Sequence, residues 1–106
     1  MIVAMGWPAA AGQALTGRVR PSVAFAPSDV VIQAFIEQSA LNRSVTFAMD
    51  SGAFYTSSVA ELDGDRAARV KEVRFRMVPA GVYQVSVTLF GTEGERGHFL
   101  WKVELW

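Results

Sequence analysis

The chain contains no cysteine, so disulfide cross-links, thiolate nucleophiles and cysteine-ligated zinc are all excluded. It has one histidine, His98, and sites that need two or three imidazoles cannot be assembled within a single chain. No charge of one sign prevails: ten Lys and Arg residues balance ten Asp and Glu, for a formal net charge of zero. A neutral chain exerts no long-range pull on nucleic acid or an anionic membrane, and the spacing of the arginines gives no sign of a local basic patch. No nucleic-acid partner is therefore expected. The one extended apolar run, at the N-terminus, is too short to span a bilayer and contains Pro8, so no membrane span is expected either. The glycine-rich "GTEGERG" (Gly91 to Gly97) matches neither the phosphate-binding loop nor the dinucleotide fingerprint. It reads as a long hairpin loop between two strands, and no cofactor is expected.

What remains is a chain of 106 residues, half of it hydrophobic, which suits one packed domain and is too short for two. The opening "MIVAMGWPAAAGQA" carries no charge and ends in small residues, Gly12 and Ala14. It resembles the apolar and cleavage regions of a secretory signal peptide, although the basic segment that opens such peptides is missing. On that reading residues 1–14 are a signal-peptide remnant, the folded domain is 15–106, and the protein is periplasmic or secreted. An N-terminal strand or tail is the alternative.

From Val19 onward the pattern is period-two alternation, with turn residues between the runs. "SVAFAP" (Ser22 to Pro27) is a short strand between prolines. "DVVIQAFIEQ" puts Val30, Ile32, Ala34 and Ile36 on one face. It can also be read as a helix capped by Ser28, but its Val and Ile content and its length favour a strand. "SVTFAMD" points Val45, Phe47 and Met49 inward, and "AFYTSSVAEL" (Ala53 to Leu62) is polar enough for an edge strand. "DGDR" (Asp63 to Arg66) is a turn, and "AARV" after it is expected to form one helical turn. "EVRFRM" sets Val73, Phe75 and Met77 toward the core, "VYQVSVTL" sets Tyr83, Val85, Val87 and Leu89, and "HFLWKVELW" sets Phe99, Trp101, Val103 and Leu105. About seven short strands in this length form the pattern of an all-β antiparallel sandwich.

The most specific stretch is "VPAGVYQV". Pro79 suits the second position of a type I turn and Gly81 the fourth, and Tyr83 follows two residues later, two before the core position Val85. This resembles the tyrosine corner of immunoglobulin-like sandwiches, in which the phenol bonds back to the backbone of the crossover. The chain is thus similar to exported bacterial immunoglobulin-like or fibronectin type III-like domains. Val85 stands where antibody domains place a cysteine, and Ala34 and Phe47 where they place the other cysteine and the core tryptophan. The wording "PAGxYxV" is also similar to carboxypeptidase regulatory-like and transthyretin-like sandwiches. The resemblance implies a structural corner at Pro79, Gly81 and Tyr83, and a binding or structural role.

Candidate chemistry is sparse. "DSGAFYTSS" offers hydroxyls but no G-x-S-x-G elbow, and only His98 could serve as a base, so no catalytic residue is assigned and no enzyme is expected. Asp29, Asp50, Asp63 and Asp65 are calcium-type ligands, yet "DGD" lacks EF-hand spacing and reads as a solvated turn, and no metal site is assigned. "NRS" (Asn42 to Ser44) is formally a glycosylation sequon. The last strand offers the best lead: Leu100 and Trp106 lie on its second face beside Lys102 and Glu104. Aromatic residues dominate interface energetics, so Leu100 and Trp106, with Phe54 and Tyr55, are candidate contacts for a protein partner or a second copy. Stacking of Phe54, Tyr55 or Trp106 on sugar rings is the alternative, a carbohydrate-binding module.

Overall fold

In the computed structural model, which describes residues 14–106, the alternation is realised as eight strands and one 3-10 turn. In chain order they are β1 Leu15–Arg20, β2 Val23–Ala24, β3 Ser28–Ile36, β4 Asn42–Asp50, β5 Tyr55–Glu61, β6 Val70–Val78, β7 Gly81–Gly91 and β8 Gly94–Leu105. A three-stranded antiparallel sheet runs β1-β3-β6, and a five-stranded sheet runs β2-β8-β7-β4-β5. Only the two-residue pairing of β2 with β8 is parallel. The two sheets face each other as an all-β sandwich.

The inner faces are the ones the alternation specifies. Val30, Ile32, Ala34 and Ile36 of β3 meet Val45, Phe47 and Met49 of β4, Tyr83, Val85, Val87 and Leu89 of β7, and Val103 and Leu105 of β8, all buried. Each large side chain removed from water contributes about 1.5–3 kcal/mol before entropy is counted. The segment 29–38 is a strand, as its β-branched content favours.

Several local expectations are corrected. β1 is an additional strand: Leu15 and Val19 point inward, with Gly17 between them, where the ring of Phe99 lies against its backbone. A Cβ at Gly17 would sit 2.1 Å from Phe99 Cζ, so the gap in the apolar pattern is what lets β1 approach β8. Met77 is on the surface, 67% exposed, not in the core. Between Ser28–Val78 and Val30–Phe75 the register of β3 and β6 shifts by one residue, Met77 adopts φ +54°, and Val78 takes the inward place. The single helical turn is Gly64–Arg66 rather than "AARV". "GTEGERG" is no long loop: β7 and β8 are joined across Thr92 and Glu93 alone, with Gly94 at φ +115°.

The other end of the sandwich is tied by Asn42, a buried polar residue at 1% exposure. Its Nδ2 donates to the Glu37 carbonyl oxygen (2.9 Å) and its Oδ1 accepts from Arg96 Nη1. The sequon asparagine is therefore engaged inside the protein rather than presented to a glycosylating enzyme. Ala14, the last residue of the signal-like segment, is buried, and its carbonyl accepts from the Glu37 amide (2.9 Å). The rest of that segment lies outside the described residues. Among the described residues no helix is long and apolar enough to cross a membrane.

Candidate functional site

Strand register decides which surface residues meet. β2 and β8 run parallel with Val23 beside Glu104, and the pairing continues through Trp106 N–H to the Ala24 carbonyl (3.0 Å) and Ala26 N–H to the Trp106 carbonyl (2.9 Å). Phe25 and Trp106 are thus neighbours. Ala24, Ala26 and Leu105 turn inward against the core, so Val23, Phe25, Glu104 and Trp106 turn outward. β7 pairs Val82 with Glu104 and Ser86 with Leu100, which adds Val82 and Leu100 to the same outer face. Phe25 is 84% exposed and Trp106 70%, while Val23, Val82 and Leu100 are all more than half exposed. One corner of the five-stranded sheet therefore presents a group of large apolar side chains to solvent.

Beside this corner lies a shallow depression of about 570 Å³ lined by Asp50, Ser51, Gly52, Val82, Gln84 and Leu100 to Lys102. Its floor follows the register row Lys102–Gln84–Asp50 across β8, β7 and β4, and Tyr55 continues that row on β5 beyond the depression. Lys102 Nζ pairs with Glu104 Oε2 (2.9 Å), and Asp50 Oδ1 accepts from the Gly52 amide (2.8 Å). The site is amphipathic: an aromatic and aliphatic rim beside a polar row whose charges have local partners.

Trp101 belongs to this region and not to the core. It shares the inward parity of Phe99 and Val103, yet it is 41% exposed. Among the described residues, the outer edge of β8 is paired by the β2 segment from Glu104 to Trp106 alone, so Trp101 lies before that pairing, where its Nε1–H donates to Ser22 Oγ (3.1 Å). Trp106 falls in the corner, whereas Leu100 lies on the same face further along β8, opposite Ser86 and beyond the Lys102–Gln84 row. Tyr55 is exposed on the same face but on β5, the far strand. Phe54 stands apart from the patch and meets Tyr83 edge-on, with ring centroids 6.2 Å apart at 86°. Sequence reasoning missed Val23, Phe25 and Val82, whose relation to Trp106 depends on a parallel pairing that no local pattern encodes.

The turn beneath the corner is tightly built. Tyr83 is buried and its hydroxyl donates to the Pro79 carbonyl oxygen (2.8 Å). A Cβ at Gly81 would come within 3.2 Å of Ser51 Cβ, and Ser51 closes its own turn by accepting from the Phe54 amide (3.1 Å). Two turns, Asp50 to Phe54 and Pro79 to Gly81, thus pack against each other and fix the rim of the depression.

The acidic residues do not converge. Asp29 accepts from the Met77 amide (3.0 Å) and pairs with Arg74 (3.4 Å), which together hold its carboxyl below the usual aspartate range despite some desolvation. Asp50 closes its turn, and Asp63 and Asp65 flank the Gly64 turn. Among the described residues no three His, Asp or Glu side chains gather as a metal site. His98 contacts Glu95 (2.9 Å) on the outer face and lies opposite Thr88, away from Ser51.

No family model and no curated protein matches the sequence. Solved structures do match in fold. The fold is similar to that of a superoxide reductase. The neelaredoxin-type superoxide reductase of Ignicoccus hospitalis superposes with a TM-score of 0.68 at 7% identity, over 87% of this chain and 80% of that one. The soluble domain of PmoD from Methylocystis sp. (Rockwell) gives 0.56 at 14% identity, over 87% and 90% of the two chains. At these identities the likeness concerns fold alone. It still corrects the expectation of no enzyme, which leaned on the lack of a catalytic constellation in the sequence. A sandwich of this shape carries catalysis in the superoxide reductase, so neither the fold nor a missing sequence motif excludes an enzyme here.

Proposed function

We propose that the chain is an exported immunoglobulin-like module that binds a protein partner through the apolar corner of its five-stranded sheet. The observation that carries this reading is the grouping of Val23, Phe25, Val82 and Trp106 around Glu104 at one end of the sheet, each more than half exposed. Single exposed apolar residues are ordinary, but a contiguous group with two aromatic rings is a surface that gains by being covered. The Tyr83–Pro79 bond and the core position of Val85 support the immunoglobulin-like reading. Export rests on the composition of residues 1–14, and N-terminal sequencing of the mature protein is expected to start near Leu15.

Cross-linking in intact cells, with mass spectrometry of the adducts, tests the binding role. The unaltered chain should yield a discrete adduct that Phe25→Asp combined with Trp106→Asp abolishes without lowering the melting temperature. An adduct that persists in the double variant, or none in either, overturns the reading.

A second reading has one observation behind it. Tyr55 and Trp106 are exposed aromatic rings on the same sheet face as the polar row Asp50, Gln84 and Lys102, a combination that suits stacking on and hydrogen bonding to a sugar. A glycan screen sensitive to Tyr55→Ala would favour it, and a flat screen would remove it.

A further inference from the structure

We propose that β5 is a self-pairing edge through which two copies of the chain join their five-stranded sheets into one continuous sheet. The edge of a sheet is a row of unpaired N–H and C=O groups, and proteins guard such rows with charge, proline, bulges or covering segments. The edges of this sandwich differ sharply in that respect. β1 carries Arg18 and Arg20, and β6 carries Lys71, Arg74 and Arg76 and is bent by the bulge at Met77. β8 is capped by β2 and sets His98 and Lys102 along its open part. β5, "YTSSVAE", has no proline, glycine, lysine or arginine, and its register with β4 is unbroken from Tyr55 to Glu61. Its one charge is Glu61, at the end.

The main-chain groups of β5 can be assigned. Leu62 N–H donates to the Arg43 carbonyl (2.8 Å), so with a two-residue period Thr56, Ser58 and Ala60 face β4. Ser57, Val59 and Glu61 then direct their N–H and C=O groups away from the sheet. The inward-pointing side chains Thr56, Ser58 and Ala60 stay half-buried rather than buried, as befits a strand that no other described strand covers on that side.

The edge is self-complementary. Antiparallel pairing about a two-fold at Ser58 sets Ser57 against the partner's Val59 and Tyr55 against the partner's Glu61. Every outward main-chain group then belongs to a hydrogen-bonded pair. No like charges oppose each other, because the carboxylate of Glu61 meets the tyrosine of the other copy, whose hydroxyl is a donor. Strand pairing alone buries less than a standard interface, so the dimer forms with rising concentration rather than obligately. β5 and the β2–β8 corner lie at opposite borders of the sheet, so both can be occupied at once.

Sedimentation of the full chain from micromolar to millimolar concentration tests the proposal. The weight-average mass should climb toward twice the monomer, with NMR shifts on dilution at the amides of Ser57, Val59 and Glu61. Val59→Lys and Ser57→Pro, each acting on the outward side of the strand, should hold the chain monomeric with an unchanged unfolding midpoint. Phe25→Asp with Trp106→Asp should leave the dimer intact, even if partner binding at that corner proves absent. A monomer at all concentrations, a dimer that survives both β5 variants, or a dimer abolished by the corner variant would each overturn the assignment.

Discussion

The outer faces of the two sheets differ in the chemistry they turn to water. On the three-stranded sheet, Arg18 and Arg20 of β1 and Arg74 of β6 flank Val31 and Gln33 of β3, with Arg76 further along β6 toward Asp29. Of these, only Arg74 has a carboxylate within ion-pair distance among the described residues, and Gln33 bonds the nearby Glu72 (2.9 Å). On the five-stranded sheet, Val23, Phe25, Val82 and Trp106 form an apolar corner instead. A formal net charge of zero therefore conceals a basic face and an apolar one. The arginines cluster because β1 and β6, far apart in sequence, border the same central strand. The contrast teaches that one sandwich supports two solvation regimes: an arginine face stable in water by itself, and a corner that is stabilised when something covers it.

Placing carboxylates on each face separates the two most strongly. Phe25→Asp with Trp106→Asp should weaken partner capture by roughly a hundredfold or more, as loss of buried aromatic anchors does. Arg18→Glu with Arg20→Glu should leave capture within about threefold, because screened rim charges contribute little. Equal losses in quantitative cross-linking would erase the distinction between the faces. A stability test comes next, at the seam both faces share. Gly17→Val drives a side chain into the Phe99 ring and should lower unfolding free energy by about 3 kcal/mol in chemical denaturation. A cost under about 1 kcal/mol would mean that β1 does not dock on β8.

Smaller effects are expected within each face. Tyr83→Phe removes the bond to Pro79 beneath the corner and should cost about 1 kcal/mol, leaving the arginine face unaffected. The smallest effect concerns Asp29, whose carboxyl is held below its ordinary range by the Met77 amide and by Arg74. A group depressed in the folded state adds stability above its unfolded pKa, and that contribution is lost as pH falls through the folded pKa. Asp29→Asn should therefore be slightly less stable than the parent near neutrality, and the difference should vanish in acid. A gap in denaturation midpoints that widens in acid would contradict this.

Much of the core was legible because burial and strand period agree. Val45, Phe47 and Met49, or Val85, Val87 and Leu89, alternate without interruption, and the structure buries all of them. β1 was not legible, because its inward set Leu15, Gly17 and Val19 contains a glycine. The reason for that glycine, the ring of Phe99, is more than eighty residues away in sequence. Met77 was misplaced by one bulge, since a single inserted residue reverses every later assignment to a face. Trp101 was misplaced for a different reason: its parity is inward, but it lies on a border that β2 is too short to cover.

The candidate site was half visible. Leu100 and Trp106 stand on the surface face of a strand that the sequence marks plainly, while Phe25 and Val23 join them only through the parallel pairing of β2 with β8. By itself the sequence determined the sandwich class and most of the residues that fill it, because alternation and turn chemistry are local properties of the chain. Which side chains became neighbours on the surface was decided by the tertiary structure alone. Strand order and register, set by how the inner faces pack, brought Phe25 beside Trp106 and set Arg20 and Arg74 on either side of Val31, and no local rule fixes either arrangement.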